Sequence, residues 1–125
     1  MKLLLDTQAL LWWLSDSTQL SQAARTAIGD GTNTVFVSAA SAWEMEIKSA
    51  LGKLRVPDNL EETLAKERFF ELPIRITHAT ALRRLPAIHR DPFDRLLIAQ
   101  AQVESLTVVT SDPVFDRYRI PVVST

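Results

Sequence analysis

The sequence predicts an α/β domain with a mostly parallel sheet covered by helices on both faces. Three observations predict it. Short β-branched or leucine-rich runs at residues 3–5, 34–37 and 106–110 read as strands. Between them, apolar residues recur at helical spacing. Strands alternating with helices over 125 residues fit one parallel-sheet domain, residues 1–125, long enough to bury a core.

Each element follows in order. The run Leu3–Leu5 stops at Asp6 and reads as a buried strand. Residues 7–15 form a helix whose segment "ALLWWL" is apolar nearly all round, more than one core-facing stripe requires. A second helix covers 21–29, before the strand "TVFV" at 34–37. Helices are expected over 39–52 and 58–68, then a weaker strand in "FFELPI" at 69–74, which a proline interrupts. A helix over 77–85 precedes one over 92–105, where Asp91 is a cap and Pro92 takes the first helical position. "LTVVT" at 106–110 is the next strand, and "PVVS" at 121–124 a weaker one. Right-handed crossovers put the C-terminal ends of parallel strands on one edge, the edge outside which ligands bind in open sheets.

Composition narrows the function classes. Fourteen basic and 15 acidic residues give a net charge of −1, which argues against holding nucleic acid by bulk positive charge. No apolar run approaches the roughly 20 residues of a membrane span. Asp6 interrupts the N-terminal apolar run too early for a secretory signal. The absence of cysteine excludes disulfides and thiolate metal sites, and a cytoplasmic setting is expected.

Four carboxylates stand out. Asp6 follows the first strand and Asp112 follows the "VVT" strand by two residues, so both belong to the ligand-binding edge. Helix capping explains either one equally well. In "SAASAWEMEIKSALGKL" the expected apolar face runs through Ala40, Trp43, Ile47, Leu51 and Leu54. Glu44 falls about 40° from Ala40 and about 20° from Leu51 on that wheel, whereas Glu46 lies off the stripe. A capping box with Ser41 as cap is the alternative, weakened because Ala39 and Ala40 already read as helical. Asp94 shares a helix side with Leu97, Ile98 and Ala101. A first-turn acid suits the helix dipole, but that does not explain why this one faces the apolar stripe.

Four converging carboxylates repel unless a cation joins them. Mg²⁺ or Mn²⁺ suits an all-oxygen set, whereas zinc is disfavoured without Cys or a His pair. His78 and His89 are expected at the surface or in loops. Setting the four acids aside leaves 11 acidic against 14 basic residues, a mildly basic shell suited to a phosphodiester. Arg90 and Arg95 flank the Asp91–Asp94 segment and are candidates for phosphate contact, although ordinary solvated arginines explain them equally.

The stretches "LLLDTQALLWWL", "SAASAWEMEIKSALGKL", "HRDPFDRLLIAQAQVESLTVVTSD" and "FDRYRIPVV" resemble the PIN-domain family, specifically VapC-type toxins of bacterial toxin–antitoxin pairs. The resemblance spans nearly the whole chain. It implies a compact three-layer α/β/α sandwich and Mg²⁺- or Mn²⁺-dependent endoribonuclease activity, often on structured RNA such as tRNA or ribosomal RNA. It carries the family's acids onto Asp6, Glu44, Asp94 and Asp112. Thr110 matches a supporting polar residue, and Asp116 a position outside the metal ligands; Asp91, read from the residues, is mainly a cap with an auxiliary role at the site. Metal-activated water would be the nucleophile, with Asp6, Asp94 and Asp112 as ligands and Glu44 holding a second ion or taking a proton. A cognate antitoxin is implied as partner, and "ALLWWL" is a candidate surface for it or for a homodimer.

Two other enzyme readings are poor. A haloacid-dehalogenase-type phosphatase needs a second Asp where Gln8 stands, and a receiver domain would cluster its acids near the first strand. A non-catalytic binding module whose acids are caps and solvated charges is the alternative from a different class. Inward-facing Glu44 and Asp94 count against it.

Overall fold

Leu3, Leu4 and Leu5 alternate across a strand, so Leu4 faces one side of the sheet and its neighbours the other. All three are fully buried. Both faces must therefore be covered, and the computed structural model, which describes residues 1–125, shows by what. The strands β1 (Lys2–Leu5), β2 (Thr34–Ser38), β3 (Phe70–Leu72), β4 (Thr107–Thr110) and β5 (Val122–Ser124) form one sheet. Their order is β3-β2-β1-β4-β5, and every pair is parallel. Leu5 stands opposite Val37 on one side and Val109 on the other.

The helices are α1 (Thr7–Leu14), α2 (Gln22–Gly29), α3 (Ala39–Ala50), α4 (Leu60–Lys66), α5 (Ile76–Ala81) and α6 (Pro92–Glu104), with 3₁₀ segments at Leu82–Arg84 and Pro113–Tyr118. One core joins Leu3 and Leu5 to Ala9 and Leu10 of α1, Ala24 and Ile28 of α2, and Met45 of α3. The other joins Leu4 to Leu97, Ile98 and Ala101 of α6 and to Phe115 and Tyr118. The result is the expected three-layer α/β/α sandwich. Fully burying a leucine or phenylalanine is worth about 1.5–3 kcal/mol, so two sets of such residues dominate the stabilisation. No helix is long and apolar enough to cross a membrane.

From central β1 the chain moves to β2 and β3 on one side, then returns to β4 and β5 on the other. Connections leaving β1 and β4 therefore diverge at their C-terminal ends. A crevice opens at such a reversal. Asp6 and Thr110–Asp112 stand at its two sides.

Most expected elements fall within two residues of their places. Helix α4 starts later, at Leu60, because Asn59 caps it by accepting the Glu62 N–H at 3.1 Å. Strand β3 ends at Leu72, before Pro73 removes a donor. Two expectations are overturned. The buried face of α3 is Ala40, Ser41, Glu44 and Met45, whereas Trp43 and Leu51 are 59% and 63% exposed and Ile47 is also exposed. Small residues at 40 and 41 fill the face that α3 turns toward α1 and α6, and the bulky stripe is left outward. Trp43 instead meets Phe93 edge-on, with ring centroids 5.2 Å apart. Ser38, not Ser41, caps α3, its Oγ accepting the Ala40 N–H at 3.0 Å.

His78 is the second correction: it is fully buried. Its Nδ1 accepts the Arg75 N–H at 2.9 Å, and its Nε2 lies 2.7 Å from Glu104 Oε2. An imidazole with partners at both nitrogens can be enclosed between α5 and α6 at little cost. Gln100 extends the network, accepting the Ser38 hydroxyl at 2.6 Å and donating to Pro73 O at 3.3 Å.

Candidate active site

Asp6 leaves β1 still bonded to the sheet, its N–H donating to Val109 O at 3.1 Å. Its carboxylate is buried with one hydrogen bond at each oxygen: Oδ1 accepts the Ala9 N–H at 2.7 Å, capping α1, and Oδ2 accepts the Thr110 hydroxyl at 2.6 Å. Burial raises its pKa. The Thr110 and Ala9 hydrogen bonds pull the other way, and the Asp112 and Glu44 charges add to the rise.

The same Thr110 oxygen accepts the Asp112 N–H at 3.0 Å, so one hydroxyl links two acids. Asp112 is exposed and caps the second 3₁₀ segment through Oδ1 and the Val114 N–H at 3.0 Å. Glu44 is buried on α3. Its Oε1 accepts the Thr7 hydroxyl at 2.6 Å and its Oε2 accepts from Lys48 Nζ at 2.9 Å. The Glu44 hydrogen bond is the main cause of a raised Lys48 pKa, with Asp91 and Asp94 contributing.

Asp94 occupies the first turn of α6, where its N–H donates to the cap Asp91 Oδ1 at 3.0 Å. It is half-buried. Burial first, and then the Asp91 charge, push its pKa up to about 6 against the pull of His89. Leu97, Ile98 and Ala101, on the same side, are buried as the spacing requires.

A cleft of about 300 Å³ is lined by Asp6, Glu44, Asp94 and Asp112, together with Asp91 and Lys48. Four elements distant in sequence therefore deliver their acids to one place. No three of the Asp, Glu and His side chains stand, as they lie, close enough to share one ion. The donor set nonetheless fits a hard divalent cation: every acidic donor is oxygen, and Lys48 is the one cationic side chain in the lining. Asp116 is exposed and does not line the cleft. Arg90 is exposed beside a separate depression that it shares with His89 and Arg95. Arg95 Nη1 is engaged by Pro86 O at 2.8 Å and the Tyr118 hydroxyl at 3.1 Å.

Sequence reasoning missed Lys48, Thr7 and the half-buried His89. Lys48 had a local signal, four residues after Glu44 on the same helix. Thr7 had only its place beside Asp6, and the partners of His89 include a residue 29 positions away.

The model of the family described as "PIN domain" matches residues 3–121. No curated protein sequence matches the chain. Among solved structures, the fold is similar to DNA-bound VapBC from Salmonella typhimurium, with TM-score 0.73 and 17% identity over 99% of this chain and 98% of that one. VapBC2 from Rickettsia felis, bound to a promoter DNA fragment, gives TM-score 0.72 and 15% identity over 99% and 98%. A toxin–antitoxin complex from Klebsiella pneumoniae gives 0.66 and 19% over 97% and 95%. Its match over nearly all residues, with the parallel sheet and the acidic cleft at the sheet edge, places this chain in the PIN-domain family.

Proposed function

We propose that the protein is a Mg²⁺- or Mn²⁺-dependent endoribonuclease acting as the toxin of a toxin–antitoxin pair. One observation carries the reading: Asp6, Glu44, Asp94 and Asp112 come from separate elements and line one cleft at the C-terminal edge of the sheet. Asp6, Asp94 and Asp112 would hold the ion, which when bound lowers the pKa of a water and offsets charge on the phosphate. The Thr110 hydroxyl fixes both acids, donating to Asp6 Oδ2 and accepting the Asp112 backbone N–H. Glu44 would hold a second ion or take a proton, its two oxygens oriented by Thr7 and Lys48. Lys48 Nζ keeps further N–H donors for a phosphate oxygen, and Arg90, exposed beside the neighbouring depression, would meet a phosphate farther along the strand.

The substrate class is RNA, structured RNA such as tRNA or ribosomal RNA fitting the family habit. A groove of about 440 Å³, lined by Leu11, Leu14, Val56 and Pro57 together with Ser15, Arg55 and Asp58, shares Leu11 with the acidic cleft. An antitoxin segment lying there would reach the acids with a basic side chain. The outward face of α3, with Trp43, Ile47 and Leu51, suits a second copy of the chain.

A non-catalytic binding module is favoured by one observation: Asp6, Asp91 and Asp112 all cap helical segments. Capping does not explain buried Glu44. The deciding experiment incubates purified protein with tRNA and ribosomal RNA. Cleavage with Mg²⁺ or Mn²⁺, blocked by EDTA and lost in a folded Asp94→Asn variant, is expected. A folded, unmutated protein that leaves RNA intact would select the binding module.

A further inference from the structure

The stretch HRDPFDR supplies Asp94 to the cleft, but its first residue has contacts that capping and the acid set leave unexplained. His89 is half-buried in the loop before α6. Its Nε2 lies 3.3 Å from Asp94 Oδ2, and its Nδ1 lies 2.7 Å from the Tyr118 hydroxyl. That hydroxyl oxygen also accepts Arg95 Nη1–H at 3.1 Å and the His89 backbone N–H at 3.4 Å. The two rings meet with centroids 5.5 Å apart and planes at 65°. Arg95 Nη1 further donates to Pro86 O at 2.8 Å and to His89 O at 3.4 Å, fastening the loop to α6.

With the imidazole neutral, these bonds admit one order of protons. Arginine only donates, and an ionised carboxylate only accepts. The Tyr118 oxygen therefore receives from Arg95 and directs its own hydrogen to His89 Nδ1. With Nδ1 an acceptor, the ring carries its proton on Nε2 and donates it to Asp94 Oδ2. The chain has a structural consequence too. Arg95 follows Asp94 on α6, and Tyr118 closes the 3₁₀ segment that Asp112 caps. Two acid-bearing elements are thereby joined through one imidazole.

We propose that His89 is a positioning residue of the cleft. Tyr118 and Arg95 hold it as the Nε2–H tautomer, and it holds Asp94 Oδ2, setting the carboxylate rotamer and leaving Oδ1 for an ion. The inference rests on reading the cleft as a metal-dependent active site. Ligating carboxylates are commonly oriented by such outer hydrogen bonds, whose loss weakens metal binding. A loop merely buckled to α6 by Arg95 would place no demand on the protonation site of the ring.

Two measurements test it on the full chain. The protein has two histidines, so long-range ¹H–¹⁵N spectra at pH 8, assigned with His89→Gln, read the tautomer directly. The Nε2–H form is expected, and Tyr118→Phe should convert it to a mixture; an Nδ1–H form overturns the proposal. In calorimetric Mn²⁺ titration, His89→Leu should weaken binding about ten-fold, while His89→Gln, which restores an N–H donor, stays within about three-fold. Unchanged affinity in His89→Leu, or equal loss in both variants, overturns it. Absence of Mn²⁺ binding by the unmutated chain overturns the reading of the cleft and with it the positioning role. The tautomer spectrum needs no metal, so it decides the proton order separately.

Discussion

At the scale of single residues, Thr110 has the most demanding position, because one oxygen serves both Asp6 and Asp112. Thr110→Val preserves shape and removes both bonds. Leaving a buried Asp6 oxygen unpaired should cost about 1–3 kcal/mol in urea denaturation, and cleavage should fall with it. A change under about 0.5 kcal/mol would mean that Asp6 finds another partner, as neutral surface substitutions do. Asp94 sets a pH dependence. Its folded pKa of about 6 lies above the ordinary 3.8, so the protonated form is the one the fold tolerates better. That contribution is complete below about pH 3.8 and is lost as pH rises through about 6. A rise of this size is worth at most roughly 3 kcal/mol, and solvent screening at a partly exposed group reduces it to about 1–2. In EDTA, Asp94→Asn should abolish this loss between pH 4 and 7. Parallel curves for the two proteins would show that burial of Asp94 carries no such strain.

At the scale of elements, α3 and α6 are held in register by Ser38 and Gln100. Ser38 caps α3, whose second turn carries Glu44, and Gln100 lies on α6, whose first turn carries Asp94. A double-mutant cycle of Ser38→Ala and Gln100→Ala should show a coupling of about 0.5–3 kcal/mol; additivity would mean that the two act separately. These helices also show what the sequence can and cannot disclose. On α6, Leu97, Ile98 and Ala101 follow the period of the helix, and the inward side of Asp94 is legible from them alone. On α3, Glu44 is inward, but the stripe used to orient it is not, because the small Ala40 and Ser41 take the buried face and leave Trp43 and Leu51 outside. Periodicity tells a bulky face from a polar one. It does not say which face a neighbouring element can approach closely. His78 was misplaced for a related reason: its partner Glu104 lies 26 residues away, and such pairing leaves no local pattern.

At the scale of the whole molecule, the parallel sheet and its reversal between β1 and β4 bring the acids to one edge, and two properties follow. The exposed Trp43, Ile47 and Leu51 predict a dimer in sedimentation, converted to monomer by Ile47→Glu; a monomeric unmutated chain would remove that surface from consideration. Mutual repulsion in the cleft predicts that Mg²⁺ stabilises the fold by mass action, about 2.7 kcal/mol at 100-fold excess over its Kd. A melting temperature raised by Mg²⁺ and restored by EDTA would register it, and Asp6→Asn should blunt the response. The most direct measurement is anomalous diffraction from crystals soaked in Mn²⁺. A peak within the cleft bounded by Asp6, Asp94 and Asp112 is the expected result. Fully occupied Mn²⁺ elsewhere, with no density among those carboxylates, would contradict the account.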